Sequence, residues 1–213
     1  LGGGGYAEKV AVPAGMVLAV PKGLSMIEAA AIPEAFATSY LNLCIEGGMK
    51  EGDIVFIQAG ASGLGMAAIQ LAKLAGAKVM TTVGSEVKAE FVRKLGADII
   101  INHKKEDITA VMEKYPVDIA MDCVAGSELG RNLEKMARGG RWIVIATLGG
   151  SMAEIDMTSF FKLGLKLIGS TLRSRSSEMK AKILCEIEEK LWGKFSAGQI
   201  KSVIYKTLPI TQA

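Results

Sequence analysis

From Asp53 onward, short apolar runs alternate with stretches of helical pattern, and this alternation constrains the fold more than any other feature of the sequence. Runs such as DIVFIQA at 53–59 and KVMTTV at 78–83 show almost no polar alternation, which predicts strands that are buried on both faces. Such strands, separated by helices, form a parallel sheet through right-handed crossovers. The sequence therefore predicts an α/β fold with a doubly wound parallel sheet, the Rossmann fold.

The predicted elements extend over most of the chain. In the region before Asp53, a helix begins after Ser25, with Glu28 at the capping-box spacing, breaks at Pro33 and ends at Gly47. Predicted strands cover 6–12, 53–59, 78–83, 98–102, 117–124, 141–147, 165–171 and 202–208. Predicted helices in the alternating region cover 63–75, 86–95, 107–114, 127–136 and 178–195.

Composition excludes several classes of function. With 213 residues, 50% of them hydrophobic, the chain can bury a sizeable core. Its 25 Lys and Arg against 22 Asp and Glu, without a basic run, do not indicate nucleic-acid binding. No apolar stretch reaches the roughly 18 residues of a membrane helix. The three cysteines, Cys44, Cys123 and Cys185, form no CxxC pair, so we expect no disulfide framework, no structural zinc and a cytoplasmic location.

The segment 59–65, AGASGLG, joins the first strand of the alternating region to its helix. Gly60 suits a tight turn, and Gly63 and Gly65 allow close approach of the backbone, while Ser62 occupies the place of the second glycine in the usual dinucleotide-binding pattern. The amino terminus of the following helix suits a pyrophosphate. The alternative is that these glycines serve only to turn the chain, but their place between strand and helix favours a dinucleotide site.

The end of the next strand indicates which dinucleotide binds. NAD sites usually carry an acidic residue there for the ribose 2′-hydroxyl, whereas this chain has Gly84 and Ser85, followed one helical turn later by Lys88. A hydroxyl group and a cation favour the 2′-phosphate of NADP. The alternative is that Ser85 only caps the helix and Lys88 is a solvated charge.

Several motifs together resemble the medium-chain dehydrogenase/reductase superfamily. AGASGLG, GSEVK and KLGAD are similar to its zinc-free quinone oxidoreductase branch, and INHKKED, GGRW and TLRSR to the stress-inducible NADPH:quinone oxidoreductases within that branch. The resemblance covers essentially the whole chain. It implies NADPH as the cofactor and hydride transfer to a quinone or another small electrophilic acceptor, without a metal and without a catalytic side chain.

The resemblance also implies roles for individual residues. Thr38 would pack near the nicotinamide, Leu64 near the pyrophosphate, and Arg173 in TLRSR near the carboxamide, although Arg173 could equally be a surface charge. His103 stands where relatives have a tyrosine in the 2′-phosphate pocket, or is an exposed loop histidine. Cys123 lies at the carboxyl end of one predicted strand and Leu148 directly after another, where ligands collect. The complete set of candidate cofactor-binding residues is Thr38, Gly60, Ser62, Gly63, Leu64, Gly65, Gly84, Ser85, Lys88, His103, Cys123, Leu148 and Arg173.

The resemblance implies a domain organisation as well. Residues 1–13 would be the tail of a GroES-like substrate domain, and residues 14–213 the Rossmann domain, so we expect a cofactor-binding part of a longer protein with little activity of its own. The single histidine, with Glu34 near the expected position of one ligand, does not support a zinc site. Glu34 and Asp122 are expected to be capping or hydrogen-bonded carboxylates rather than catalytic acids.

Two further interpretations of function remain open: reduction of an activated carbon–carbon double bond with NADPH, and nucleotide binding without catalysis.

Relatives commonly dimerise through the sheet edge of this domain. The stretches WIVIATLGG and KLIGSTL would supply that edge here, and we therefore expect a homodimer.

Overall fold

A computed structural model describes residues 4–212 and contains one six-stranded sheet in which every pairing is parallel. The strand order is β3-β2-β1-β4-β5-β6. Strands β2 and β3 therefore lie on one side of β1, and strands β4 to β6 lie on the other. This confirms the predicted doubly wound Rossmann fold. The strands are β1 (Ile54–Ile57), β2 (Lys78–Val83), β3 (Ile99–Asn102), β4 (Val117–Asp122), β5 (Met136–Val144) and β6 (Lys166–Gly169).

Along the chain, two helices precede the first strand, five connect successive strands, and one follows the last strand of the described residues. They are α1 (Met26–Ala30), α2 (Pro33–Tyr40), α3 (Gly63–Leu74), α4 (Glu86–Lys94), α5 (Ile108–Lys114), α6 (Gly126–Leu133), α7 (Met157–Leu163) and α8 (Ser177–Ser196). A π-helical segment (Leu41–Glu46) follows α2, and short 3₁₀ turns occupy Ala14–Met16 and Ile210–Gln212. No helix within residues 4–212 combines the length and the apolar character that crossing a membrane requires.

The sheet is buried on both faces, which explains its apolar strands. Val55 and Ile57 of β1 belong to one hydrophobic cluster, with residues of α3 and α4. Phe56 between them belongs to a second cluster on the opposite face, where Trp142 of β5 is fully buried. A strand with both faces in the core cannot alternate apolar and polar residues.

The predicted helix start at Ser25 and the break at Pro33 are confirmed. Ser25 accepts the backbone N–H of Glu28, and the Glu28 carboxylate accepts the backbone N–H of Ser25 at 2.8 Å, which completes the capping box. α1 ends at Ala30 and α2 begins at Pro33, because proline is tolerated in the first turn of a helix but not in its interior.

Other local predictions are wrong. Residues 6–12 and 202–208 do not form strands. β4 ends at Asp122 rather than at 124, because the Asp122 carboxylate draws the next backbone N–H groups into a turn. α6 ends at Leu133, and β5 begins at Met136, five residues before the predicted start at 141. α7, with Asp156 as its N-cap, was not predicted at all.

The chain divides into two compact units. One, Ser39–Ser170, contains all six strands and helices α3 to α7. The other joins the residues up to Thr38 with those from Thr171 onward. Within this second unit, the rings of Phe36 and Phe195 pack edge to face at 4.9 Å, and the Trp192 indole N–H donates to the Ala19 carbonyl at 2.8 Å. The expected domain boundary after Pro13 stays a prediction.

Candidate nucleotide-binding site

A groove of about 670 Å³ opens at the carboxyl ends of strands β1 to β4. A doubly wound sheet collects ligands at this edge, and the volume lies within the range of small-molecule sites. All residues that line it belong to the unit Ser39–Ser170. They include Gln58, Ser62, Thr82, Gly84, Lys88, His103, Lys104, Val124 and Arg131.

The turn between β1 and α3 is held by β2. The hydroxyl of Thr82 accepts the Ala59 N–H at 2.9 Å, and the Thr82 carbonyl accepts the Gly60 N–H at 3.0 Å. Ser62, which departs from the usual glycine pattern, is the N-cap of α3 and accepts the Gly65 N–H at 3.0 Å. The N–H groups at the first two helical positions have no partner within an α-helix, so this terminus suits an anion.

The three glycines of this turn have different reasons to be glycine. A Cβ on Gly60 would collide with the Thr81 hydroxyl, and a Cβ on Gly65 would lie 2.5 Å from the Ala59 carbonyl oxygen. A Cβ on Gly63 would meet no described residue within 4 Å. Gly60 and Gly65 are therefore required by the fold, whereas Gly63 borders open space that a ligand could occupy.

The end of β2 faces a group of basic side chains. A Cβ on Gly84 would lie 3.2 Å from Nε2 of His103 and 3.5 Å from Cε of Lys104. Lys88, His103 and Lys104 are exposed on the groove. Ser85 is the N-cap of α4, and its hydroxyl oxygen accepts the Lys88 N–H at 3.4 Å. The capping role of Ser85 is thus present, and its hydroxyl proton is still available for a ligand.

The nearest carboxylate in α4 is engaged elsewhere. Glu86 accepts from the Lys105 ammonium at 2.9 Å and from the Asn102 amide at 3.2 Å. The hydrogen bond from Lys105, followed by that from Asn102, lowers the pKa of Glu86. Within residues 4–212, Lys88 and Lys104 form no ion pair with a carboxylate. This rim of the groove therefore carries two lysines without an ion-pair partner among the described residues, while the carboxylates of Glu106 and Asp107 line the same groove.

The turn after β4 is organised by a buried carboxylate. Asp122 accepts the Trp142 indole N–H at 2.8 Å and the N–H groups of Val124 and Ala125 at 2.7 and 2.9 Å. The expectation of a hydrogen-bonded carboxylate is confirmed. Burial, and secondly the negative charge of Asp122, raise the pKa of the Cys123 thiol, so this cysteine is a poor nucleophile.

The structure brings together part of the predicted site. Ser62, Gly84, Lys88 and His103 line the groove itself. The flanking turns supply Gly60, Gly63, Leu64, Gly65 and Ser85.

The remaining candidates lie outside the groove lining. Leu148 is 82% exposed, and its N–H donates to the Cys123 carbonyl at 3.1 Å. Thr38 and Arg173 belong to the other unit, where the Thr38 hydroxyl donates to Glu34 at 3.3 Å. The roles of these residues toward a cofactor stay predictions.

Sequence reasoning missed several groove residues. Lys104 directly follows His103 and could have been found by extending the argument for a 2′-phosphate by one residue. Gln58 is the single polar residue in the run IVFIQA, but a polar residue at the end of a strand is not by itself a sign of a site. Arg131 lies on α6, whose approach to the groove depends on the order of the strands, and no local signal identifies it.

The described residues do not fit a zinc site. Within residues 4–212, no group of three or more His, Cys, Asp and Glu side chains is arranged to hold a metal. The one histidine, His103, lies on the nucleotide groove.

A doubly wound parallel sheet with a glycine turn and a groove at its carboxyl edge defines a Rossmann-type nucleotide-binding protein. More particularly, the chain belongs to the zinc-binding dehydrogenase family, whose model matches residues 63–188, more than half of the chain. Its relatives include quinone oxidoreductases, as the sequence motifs predicted, and also a polyketide synthase subunit of Mycobacterium tuberculosis that is 32% identical over 146 residues, 67% of this chain and 7% of that protein.

Three comparisons are informative. The human protein "Quinone oxidoreductase" is 30% identical over 179 residues, which are 82% of this chain and 54% of that protein. The quinone oxidoreductase of Thermus thermophilus, solved also with NADPH, has 30% identity and a TM-score of 0.79 over 93% of this chain and 63% of that one. The JamJ enoyl reductase has 27% identity and a TM-score of 0.77 over 92% of this chain and 59% of that one. The chain thus spans about half the length of the human relative.

Proposed function

We propose that this chain is the cofactor-binding part of an NADPH-dependent oxidoreductase that transfers a hydride to a quinone and does not use zinc. One observation carries the choice of NADPH. Lys88 and Lys104 line the groove together with Gly84 and form no ion pair among the described residues, in the region where an NAD site usually has an acid. A 2′-phosphate would neutralise them, while the ribose of NADH would leave them unpaired.

NADPH, when bound, supplies the hydride, and the chain binds and orients it. The helix terminus at Gly63 and Leu64 holds the pyrophosphate through backbone N–H groups. Lys88 and Lys104 hold the 2′-phosphate, and the Ser85 hydroxyl donates to it while its oxygen still caps α4. The Asp122 carboxylate accepts three N–H groups of the protein, so it stabilises the turn after β4 rather than acting as a general acid on the acceptor.

A paired titration with NADPH and NADH tests the cofactor. Lys88→Ala and Lys104→Ala should each weaken NADPH binding about tenfold, the loss of one charge-assisted hydrogen bond, and leave NADH binding unchanged. Lys94→Ala, at the other end of α4, is the matched control and should change neither. Equal affinities of the wild type for NADPH and NADH would refute the proposed 2′-phosphate site.

A second candidate function is reduction of an activated carbon–carbon double bond, which the similarity to the JamJ enoyl reductase favours. NADPH oxidation should be followed with a quinone and, separately, with an enoyl thioester. If the enoyl thioester is turned over faster than the quinone, an activated carbon–carbon double bond becomes the proposed hydride acceptor in place of the quinone. Binding of NADPH without turnover of either acceptor would favour a non-catalytic nucleotide-binding module or the poorly active fragment we expect. Activity that requires added zinc would contradict the zinc-free mechanism.

We also propose a homodimer that forms through the β6 edge of the sheet. An exposed apolar edge strand tends to pair with another chain, and Leu167 on β6 and Phe161 on α7 are both exposed. Light scattering should give twice the mass of the chain, and Leu167→Glu should reduce it to that of a monomer. A wild-type monomer at high concentration would contradict the proposal.

A further inference from the structure

The groove contains a buried hydrogen-bond acceptor that the described part of the protein does not satisfy. Gln58, which directly follows β1, is 3% exposed and lines the groove. Its backbone N–H donates to the Met121 carbonyl at 3.1 Å, but its side-chain Oε1 has no hydrogen-bond partner among residues 4–212. A buried polar atom without a partner costs free energy, so its retention calls for an explanation.

Packing does not explain this glutamine. Phe56, two residues earlier and on the same face of β1, belongs to an apolar cluster, and a methionine or leucine would extend that cluster at position 58. Another buried glutamine, Gln70 on α3, has no buried side-chain atom without a partner among residues 4–212, and its amide nitrogen donates to the Met66 carbonyl at 3.1 Å. The oxygen of Gln58 therefore suits a partner that the groove receives from outside.

We infer that Gln58 is a specificity-determining residue whose carboxamide oxygen accepts a hydrogen bond from the adenosine half of the bound dinucleotide. This inference rests on the proposed function. Gln58 directly precedes Ala59 in the turn proposed to hold the pyrophosphate, and it lines the same groove as Gly84 and Lys88 at the rim proposed to hold the 2′-phosphate. Only the adenosine connects these two groups covalently.

The chemistry of the atom restricts the partner further. An amide oxygen accepts and cannot donate, so phosphate oxygens are excluded as its partner. In NADPH, the adenosine half offers two kinds of donor, the 3′-hydroxyl of the ribose and the exocyclic amino group of adenine. Thr82, the neighbouring hydroxyl in the groove, already uses its oxygen to accept the Ala59 N–H.

The test is the substitution Gln58→Met, with Gln70→Met as the matched control for loss of a buried amide outside the groove. Gln58→Met should weaken NADPH binding about tenfold, because the ligand donor loses its acceptor. It should not lower the melting temperature of the ligand-free protein, since the lost oxygen has no partner among the described residues. Gln70→Met should leave NADPH affinity unchanged. A role of Gln58 in folding alone would lower the melting temperature and leave the affinity of the folded protein unchanged, and this would overturn the inference.

Two analogues identify the donor in the wild type. The hypoxanthine analogue of NADPH lacks the adenine amino group, and the 3′-deoxy analogue lacks the ribose hydroxyl. The analogue that lacks the relevant donor should bind the wild type about tenfold more weakly than NADPH does. To Gln58→Met, that analogue and NADPH should bind with equal affinity. If both analogues bind the wild type as well as NADPH does, the inference is wrong, and this result does not depend on any variant folding. A wild type that binds neither NADPH nor NADH would instead refute the proposed function, and this inference with it.

Discussion

The turns after β1 and after β4 lie on neighbouring strands of one sheet edge, yet they are stabilised in opposite ways. Each contains an alanine with positive φ, 54° at Ala59 and 57° at Ala125. The hydroxyl and the carbonyl of Thr82 on the adjacent strand hold the first turn, and a serine caps its helix. A single buried carboxylate, Asp122, holds the second, and among the described residues α6 has no side-chain cap.

The space beside the two turns differs accordingly. A Cβ on Gly63 in the first turn would meet no described residue within 4 Å, whereas a Cβ on Gly126 in the second would lie 2.7 Å from the Gly149 carbonyl oxygen. The first turn leaves the amino terminus of its helix open to a ligand, and the second is closed by the protein backbone. The same position in a Rossmann fold can therefore be open or closed, and a backbone segment distant in sequence decides between the two.

The largest effect is expected in the second turn. Asp122→Ala removes one carboxylate that accepts three N–H groups and should lower the free energy of unfolding by about 4 kcal/mol, because buried donors lose their partners. Asp122→Asn retains one acceptor oxygen and should lose about half as much. Urea denaturation measures both, and equal losses would contradict the acceptor role of the carboxylate.

Next in size is Gly60→Ala in the first turn. The new methyl group collides with the Thr81 hydroxyl, which donates to the Ile57 carbonyl at 2.6 Å, and the loss should be about 3 kcal/mol. In a Thr81→Ala background the same substitution should cost less, because most of the collision is removed. Strictly additive losses in this double-mutant cycle would contradict the proposed collision.

A smaller effect of opposite sign should follow from Ala125→Gly. Ala125 has φ 57° and ψ −138°, a conformation that glycine adopts without strain. Relief of this strain stabilises the folded state, while glycine also makes the unfolded chain more flexible, which opposes folding. The net result should be a free energy of unfolding that is higher by about 1 kcal/mol. Ala61→Gly is the control: Ala61 does not have a positive φ, and the same change there should be destabilising.

Gly63→Ala should have the smallest effect on folding, within about 0.5 kcal/mol, since its Cβ would enter open space. NADPH affinity should nevertheless fall about tenfold if the pyrophosphate occupies that space, which calorimetric titration would detect. Gly193→Ala in α8 also has open space around it and should leave the affinity unchanged. Unchanged affinity in Gly63→Ala would argue that the first turn, like the second, serves packing alone.

Much of the candidate site could be predicted from local sequence. The pattern after the first two strands predicts Ser62, Gly84 and Lys88, the family resemblance predicts His103, and all four line the groove. Local sequence did not identify Gln58, because an amide at a strand end is common and only its missing partner among the described residues makes it unusual. Arg131 reaches the groove from α6 only because β4 pairs with β1.

The sequence by itself determined the fold class, the alternation of strands β1 to β5 with helices α3 to α6, and the helix cap at Ser25. These features depend on periodicity and on hydrogen bonds between residues three or four apart. The tertiary structure alone decided that 6–12 and 202–208 do not form strands, because a strand needs a partner for its backbone groups and alternation does not provide one. It alone decided also that Asp122 binds Trp142, 20 residues away, since that contact exists only once β4 and β5 are paired.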